Sequence, residues 1–153
     1  MSLHQKIEQD FKEAFKAGDQ ARRLVLGMLK TAFLNKAIEK KSKDEPLSDQ
    51  EIESIISSEV KKRRDAAAQY AEGGRSDLVA KEEGEIVMLM VYLPQQYTKE
   101  EIEKLAQEAI AQTGAVGEKD FGKVMSVLAP RVKGRADGAM VARIVGVYLN
   151  NKS

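Results

Sequence analysis

The chain has 153 residues, 42% of them hydrophobic, and sets 25 Lys and Arg against 24 Asp and Glu, which suits one domain or two small ones with a real core and excludes a wholly disordered chain. It holds no Cys and a single His, His4, so disulfide scaffolds, thiolate zinc sites, cysteine nucleophiles and His-based triads are excluded. No apolar run reaches the roughly 18 residues of a membrane span and Met1-Ser2-Leu3 opens no signal peptide, so a cytoplasmic protein without evident catalytic equipment is expected.

Apolar residues recur at helical spacing almost throughout, and no strand pattern competes. The first helix buries Leu3, Ile7, Phe11, Ala14 and Phe15 behind a Ser2/Gln5 capping box. Gly18 stops it and Asp19 caps the second helix, roughly residues 20–42, whose broad apolar face includes Val25, Met28, Leu29, Ala32 and Phe33 and which ends in Lys40-Lys41-Ser42-Lys43. Ser48 and Glu51 form the capping box of the third helix, with Leu47 and Ile52 as its hydrophobic staple. Its stripe runs through Ile52, Ile55, Ile56, Val60, Ala67 and Tyr70 to Gly73-Gly74. Ser76 or Asp77 starts a fourth helix through Leu78, Ile86, Leu89 and Leu93, which Pro94 closes.

Tyr97, Thr98, Glu101 and Ile102 repeat the box-and-staple logic for a fifth helix, with Leu105, Ala106, Ala109 and Ile110 on its stripe. A short sixth helix, capped by Asp120, turns Phe121, Val124, Met125, Leu128 and Val132 inward and is bent or shortened by Pro130. After a turn from Gly134 to Gly138, Asp137 caps a last helix carrying Val141, Ile144, Val145 and Tyr148. The fold expected is all-α, in two helical subdomains: about four longer helices in 1–94 and a small three-helix module in 95–153.

Charge is segregated along the chain. Residues 44–60 carry six acids (Asp44, Glu45, Asp49, Glu51, Glu53, Glu59) and no base. They lack a calcium-loop pattern, and a helix N-terminus welcomes them. The run Lys61-Lys62-Arg63-Arg64 fans around a helix, with Arg63 beside the apolar stripe and in reach of Glu59 for a partly buried ion pair. Between 119 and 143, six bases face Asp120 and Asp137 alone. Lys133-Gly134-Arg135-Ala136-Asp137-Gly138 places two bases around a glycine just before a helix N-terminus, an arrangement that suits either a phosphate or an ordinary solvated turn. No metal-ligand spacing, cofactor motif or activated nucleophile is found, so no metal or cofactor is expected.

Tyr92-Leu93-Pro94, Gly122-Lys123-Val124-Met125 and Lys133-Gly134-Arg135-Ala136-Asp137-Gly138 resemble the YqeY-like proteins, free-standing relatives of the C-terminal tail of the tRNA-dependent amidotransferase B subunit. The resemblance implies an all-helical module that grips the outer corner of tRNA through backbone and shape. It implies backbone contacts at Lys123, Lys133 and Arg135, to which proximity along the chain adds Lys119 and Arg143. Gly122, Gly134 and Gly138 are expected to permit tight packing and the turn. The family also carries the label of a carbon–nitrogen ligase with glutamine as amide donor. That chemistry belongs to a large catalytic region absent from this sequence, so no enzymatic activity is expected. The partners implied are tRNA and an aminoacyl-tRNA synthetase or amidotransferase. The alternative is a protein-interaction adaptor using the N-terminal helical surface, with no RNA contact.

Overall fold

The computed structural model describes residues 1–41 and 45–152, which leaves the predicted helix end at Ser42-Lys43 and the acid Asp44 outside the described residues. Among those described the fold is all-α, with seven α-helices and no strand. The chain divides into two compact units, Met1–Leu93 and Pro94–Ser153.

The first unit contains α1 (Leu3–Ala17), α2 (Gln20–Glu39), α3 (Asp49–Glu72) and α4 (Ser76–Met90). Local chemistry sets the helix starts. Ser2 with Gln5 and Ser48 with Glu51 form reciprocal capping boxes, and Asp19 accepts the Arg22 N–H. Ile7, Val25, Leu26, Leu29, Ile52, Ile56 and Leu89 meet in one core, and α3 lies along α4 for much of its length.

Two residues depart from the apolar pattern. Phe15, expected inside, is 61% exposed. It sits in the last turn of α1, where the Arg23 guanidinium covers its ring at 5.4 Å to the centroid. Asp10 takes the buried place instead, at 2% exposure. Its carboxylate accepts from the Tyr92 hydroxyl at 2.5 Å and from Lys6 Nζ at 2.9 Å, and Arg22 lies at 3.4 Å. Burial alone would raise the Asp10 carboxyl; the hydroxyl and the two cations outweigh it and hold the group below its ordinary value.

Arg63 is likewise buried. Its guanidinium donates to Glu59 Oε2 at 2.9 Å and to the Glu59 carbonyl at 3.1 Å, and lies 3.2 Å from Met28 Sδ on α2. Glu85 of α4 stands 3.9 Å from Nε, a distance too long for a hydrogen bond, and among the described residues Nε has no hydrogen-bond partner. The expected Glu59–Arg63 pair is therefore present, placed where α2, α3 and α4 converge.

The second unit contains α5 (Lys99–Thr113), a one-turn 3-10 helix (Glu118–Asp120), α6 (Phe121–Val132) and α7 (Gly138–Lys152). Ile102, Ala106, Ala109 and Ile110 pack against Val124, Leu128 and Val132 and against Val141, Ile144, Val145 and Leu149. Thr98 caps α5 by accepting the Glu101 N–H at 3.1 Å. Asp120 does not cap α6: it ends the 3-10 turn and its Oδ2 accepts the Val116 N–H at 2.9 Å. Pro130 lies in the last turn of α6, which stops two residues later.

Candidate nucleic-acid interface

The five bases proposed from sequence all lie in the second unit, on four different pieces of backbone. Lys119 is in the 3-10 turn, Lys123 in the first turn of α6, Lys133 directly after α6, Arg135 in the α6–α7 turn and Arg143 midway along α7. Lys119, Lys123, Lys133 and Arg143 are exposed. Among the described residues none of the five comes within 4.0 Å of a carboxylate, and the one ion pair in this unit is Lys99–Glu103 at 4.0 Å. In the first unit Lys6, Arg22, Lys30, Lys36, Lys40, Lys62, Arg63 and Arg75 have acidic partners, while among the described residues Lys12, Lys16, Arg23, Lys41, Lys61, Arg64 and Lys81 have none. Residues 94–153 also hold nine bases against seven acids, while residues 1–93 hold 16 against 17. The positive balance belongs to the second unit, and Lys119, Lys123, Lys133 and Arg143 are open to solvent.

Arg135 differs from the other four. Its guanidinium stacks on the Tyr97 ring at 3.8 Å, donates from Nη1 to the Tyr97 hydroxyl at 2.8 Å and from Nε to the Gln95 carbonyl at 2.8 Å. The Tyr97 N–H returns a bond to the Arg135 carbonyl at 2.8 Å, and Gln96 Nε2 donates to the carbonyls of Pro94 and Gly134 at 2.8 and 2.9 Å. The guanidinium thus ties segment 94–97 to the turn that carries Lys133. This clasp escaped sequence reading; its partners are 38 to 40 residues away along the chain. The one signal available was Tyr97, an aromatic just ahead of a helix cap.

The motif glycines separate in the same way. Gly134 has φ of +79°, a left-handed conformation that glycine adopts without strain. Gly122 and Gly138 show no positive φ, and a Cβ at either would meet nothing within 4 Å. Tight packing, expected for all three, therefore explains neither of them. The N-terminus of α7 is faced by Asp137, whose Oδ1 lies 3.4 Å from the Ala139 N–H and whose carbonyl accepts from Val141 at 3.1 Å. A carboxylate thus already meets this helix end. Arg143 stands apart: with Lys99, Met140, Ile144, Val147 and Tyr148 it lines a groove of about 580 Å³ to which Lys119, Lys123 and Lys133 do not contribute.

Among the described residues no group of three or more His, Asp or Glu side chains is arranged to hold a metal ion, and no helix is long and apolar enough to cross a membrane.

Comparison with known proteins places the sequence in a family. Curated relatives include altered inheritance of mitochondria protein 41, mitochondrial, from Eremothecium gossypii, 32% identical over 87 residues (57% of this chain, 46% of the relative). The protein of the same name from Vanderwaltozyma polyspora is 28% identical over 126 residues, 77% of this chain and 66% of the relative. That from Kluyveromyces lactis is 31% identical over 86 residues, covering 56% and 45%. The chain spans about half the length of most of these relatives. The YqeY-like protein family matches residues 4–149, nearly the whole sequence, and the chain belongs to that family.

Proposed function

We propose that the chain is a non-catalytic tRNA-binding module whose second unit holds the phosphate backbone at the outer corner of the RNA, in trans to a tRNA-charging or amidating enzyme. The observation that carries this reading is the contrast in charge pairing. Eight bases of the first unit, Lys6, Lys40 and Arg63 among them, pair with acids of the same unit, whereas among the described residues Lys119, Lys123 and Lys133 face solvent with no acidic partner. Flexible ammonium groups on separate elements suit backbone contact and shape recognition better than base-edge readout. Arg135 acts here as a positioning residue, setting the turn that presents Lys133. Arg143 is the outlying contact.

The test is titration of labelled total tRNA at two salt concentrations with the wild type and with a Lys119→Ala/Lys123→Ala/Lys133→Ala variant. Each phosphate contact contributes ~0.7–0.9 to the slope of log K against log[salt], so three lost contacts flatten it by about two to three. No binding at low salt, or a slope unchanged in the variant, would overturn the assignment. Glutamine-dependent transamidation by the purified chain alone would overturn its non-catalytic half.

A further inference from the structure

Phe15 is the one large hydrophobic side chain of α1 left exposed, and it stands among bases. Lys12 and Lys16 lie three residues before it and one after, positions that share a helix face, and both are exposed. The Arg23 guanidinium of α2 lies over the ring at 5.4 Å to its centroid. Among the described residues none of these three bases has an acidic partner. The acids near them in the chain are engaged or turned away. Glu8, one turn before Lys12, holds Lys30 at 3.3 Å, and the Asp19 carboxylate accepts the Arg22 N–H at 3.1 Å. Asp10 is buried with Lys6, Arg22 and Tyr92. Glu13, two residues before Phe15, projects about 160° around the helix from it. An open aromatic ring thus sits inside a patch of three positive charges that the chain itself does not neutralise.

We propose that this patch is a further RNA contact, carried by the first unit, which takes an unpaired nucleobase against Phe15 and the adjoining phosphates on Lys12, Lys16 and Arg23. The choice of RNA as ligand rests on the tRNA reading above, while the site rests on its own residues. Unstacked bases are held on aromatic rings and on guanidinium planes, and here a ring and a guanidinium are already brought together. Lys12 and Lys16 rise about 6 Å apart along α1, so their ammonium groups reach successive phosphates of one strand. Bases inside a duplex are stacked on both faces and closed to the ring, which makes the ligand a loop or a single strand. A lipid surface would call for a strip of apolar residues along the helix, and α1 offers one ring, its Ile7 and Ala14 being buried. An acidic peptide would satisfy the charges and leave the ring unused.

The sequence contains no Trp, so Phe15→Trp in the full chain installs a lone indole at the site. A short oligouridylate at low salt should quench its emission through stacking, and polyglutamate should not. Val87→Trp, on an exposed position of α4 with no base within four residues, should stay unquenched. Adding Lys12→Gln, Lys16→Gln and Arg23→Gln should flatten the salt dependence of the quench by about two, at ~0.7 per phosphate of a single strand. Phe15→Ala, at a site already in water, should weaken labelled oligouridylate about tenfold and leave the circular dichroism unchanged. An indole unquenched by RNA, one quenched equally by polyglutamate, or one that responds only to phosphatidylserine vesicles overturns the proposal. If tRNA binding still depends on Lys119, Lys123 and Lys133 while the indole stays silent, this patch alone falls. If the indole is quenched by oligouridylate while the wild type ignores tRNA, the patch stands and the tRNA reading falls.

Discussion

Replacing Tyr92 with Phe removes one hydroxyl and keeps the ring. That hydroxyl donates to Asp10 at 2.5 Å, and Lys6 and Arg22 remain as the other partners of a carboxylate that is 2% exposed. In the variant the charge therefore stays ionised and loses one of three contacts, and a hydrogen bond to a charged group contributes ~1.5–3 kcal/mol. Burial, the hydrogen bond to Asp10 and the Asp10 charge push Tyr92 from 10.0 up to about 12, which sets the pH range over which the contribution fades. The expected cost of Tyr92→Phe near neutral pH is thus about 2 kcal/mol, read from urea unfolding by circular dichroism with an unchanged denaturant slope. The pH dependence follows from the raised value. The contribution is whole below about pH 10, where the unfolded tyrosine is still protonated, and is lost between about 10 and 12 as the unfolded chain ionises first. The stability gap between wild type and variant should therefore be flat from neutral pH to about 9 and close toward 12. A gap that stays open at high pH, or one below about 0.5 kcal/mol at neutral pH, would refute this account.

Further tests address the glycines and the buried arginine. Gly146 lies inside α7 where a Cβ meets nothing within 4 Å, so Gly146→Ala should stabilise the chain by ~1 kcal/mol in thermal unfolding. Gly134→Ala, at φ of +79°, should instead cost about 1–2 kcal/mol. Arg63→Ala takes the guanidinium from Glu59, which keeps Lys62 at 3.4 Å, and from Glu85 on the α2–α3–α4 junction, and should cost ~2–3 kcal/mol in urea, with Arg63→Met recovering part of that through packing. Equal losses for both variants would assign the role of Arg63 to charge alone.

What was legible in the sequence was local. The boxes at Ser2 and Ser48 and the caps at Asp19 and Thr98 depend on residues three apart, and the apolar stripes depend on a period of 3.6. What failed depended on partners far along the chain. Asp10 occupies a core position while looking like any surface acid, because its hydroxyl partner is 82 residues away. Arg135 reads as one more base beside a glycine, because Tyr97, 38 residues earlier, is what turns its guanidinium inward. Phe15 fits the helical stripe of α1, yet its register says nothing of whether a neighbouring helix reaches that last turn. Spacing reports which face a residue shares, and it does not report what stands opposite.

The Asp10–Tyr92 bond joins the first helix of its unit to the residues just after the last one. During synthesis α1 emerges some 80 residues ahead of the hydroxyl that completes its carboxylate site. A nascent chain that docked α1 early would hold Asp10 on Lys6 and Arg22 alone, one hydrogen bond short of the finished site. Closing so long a loop delays that last contact. The first 93 residues are expected to complete their core late in translation, once Tyr92 has joined α1.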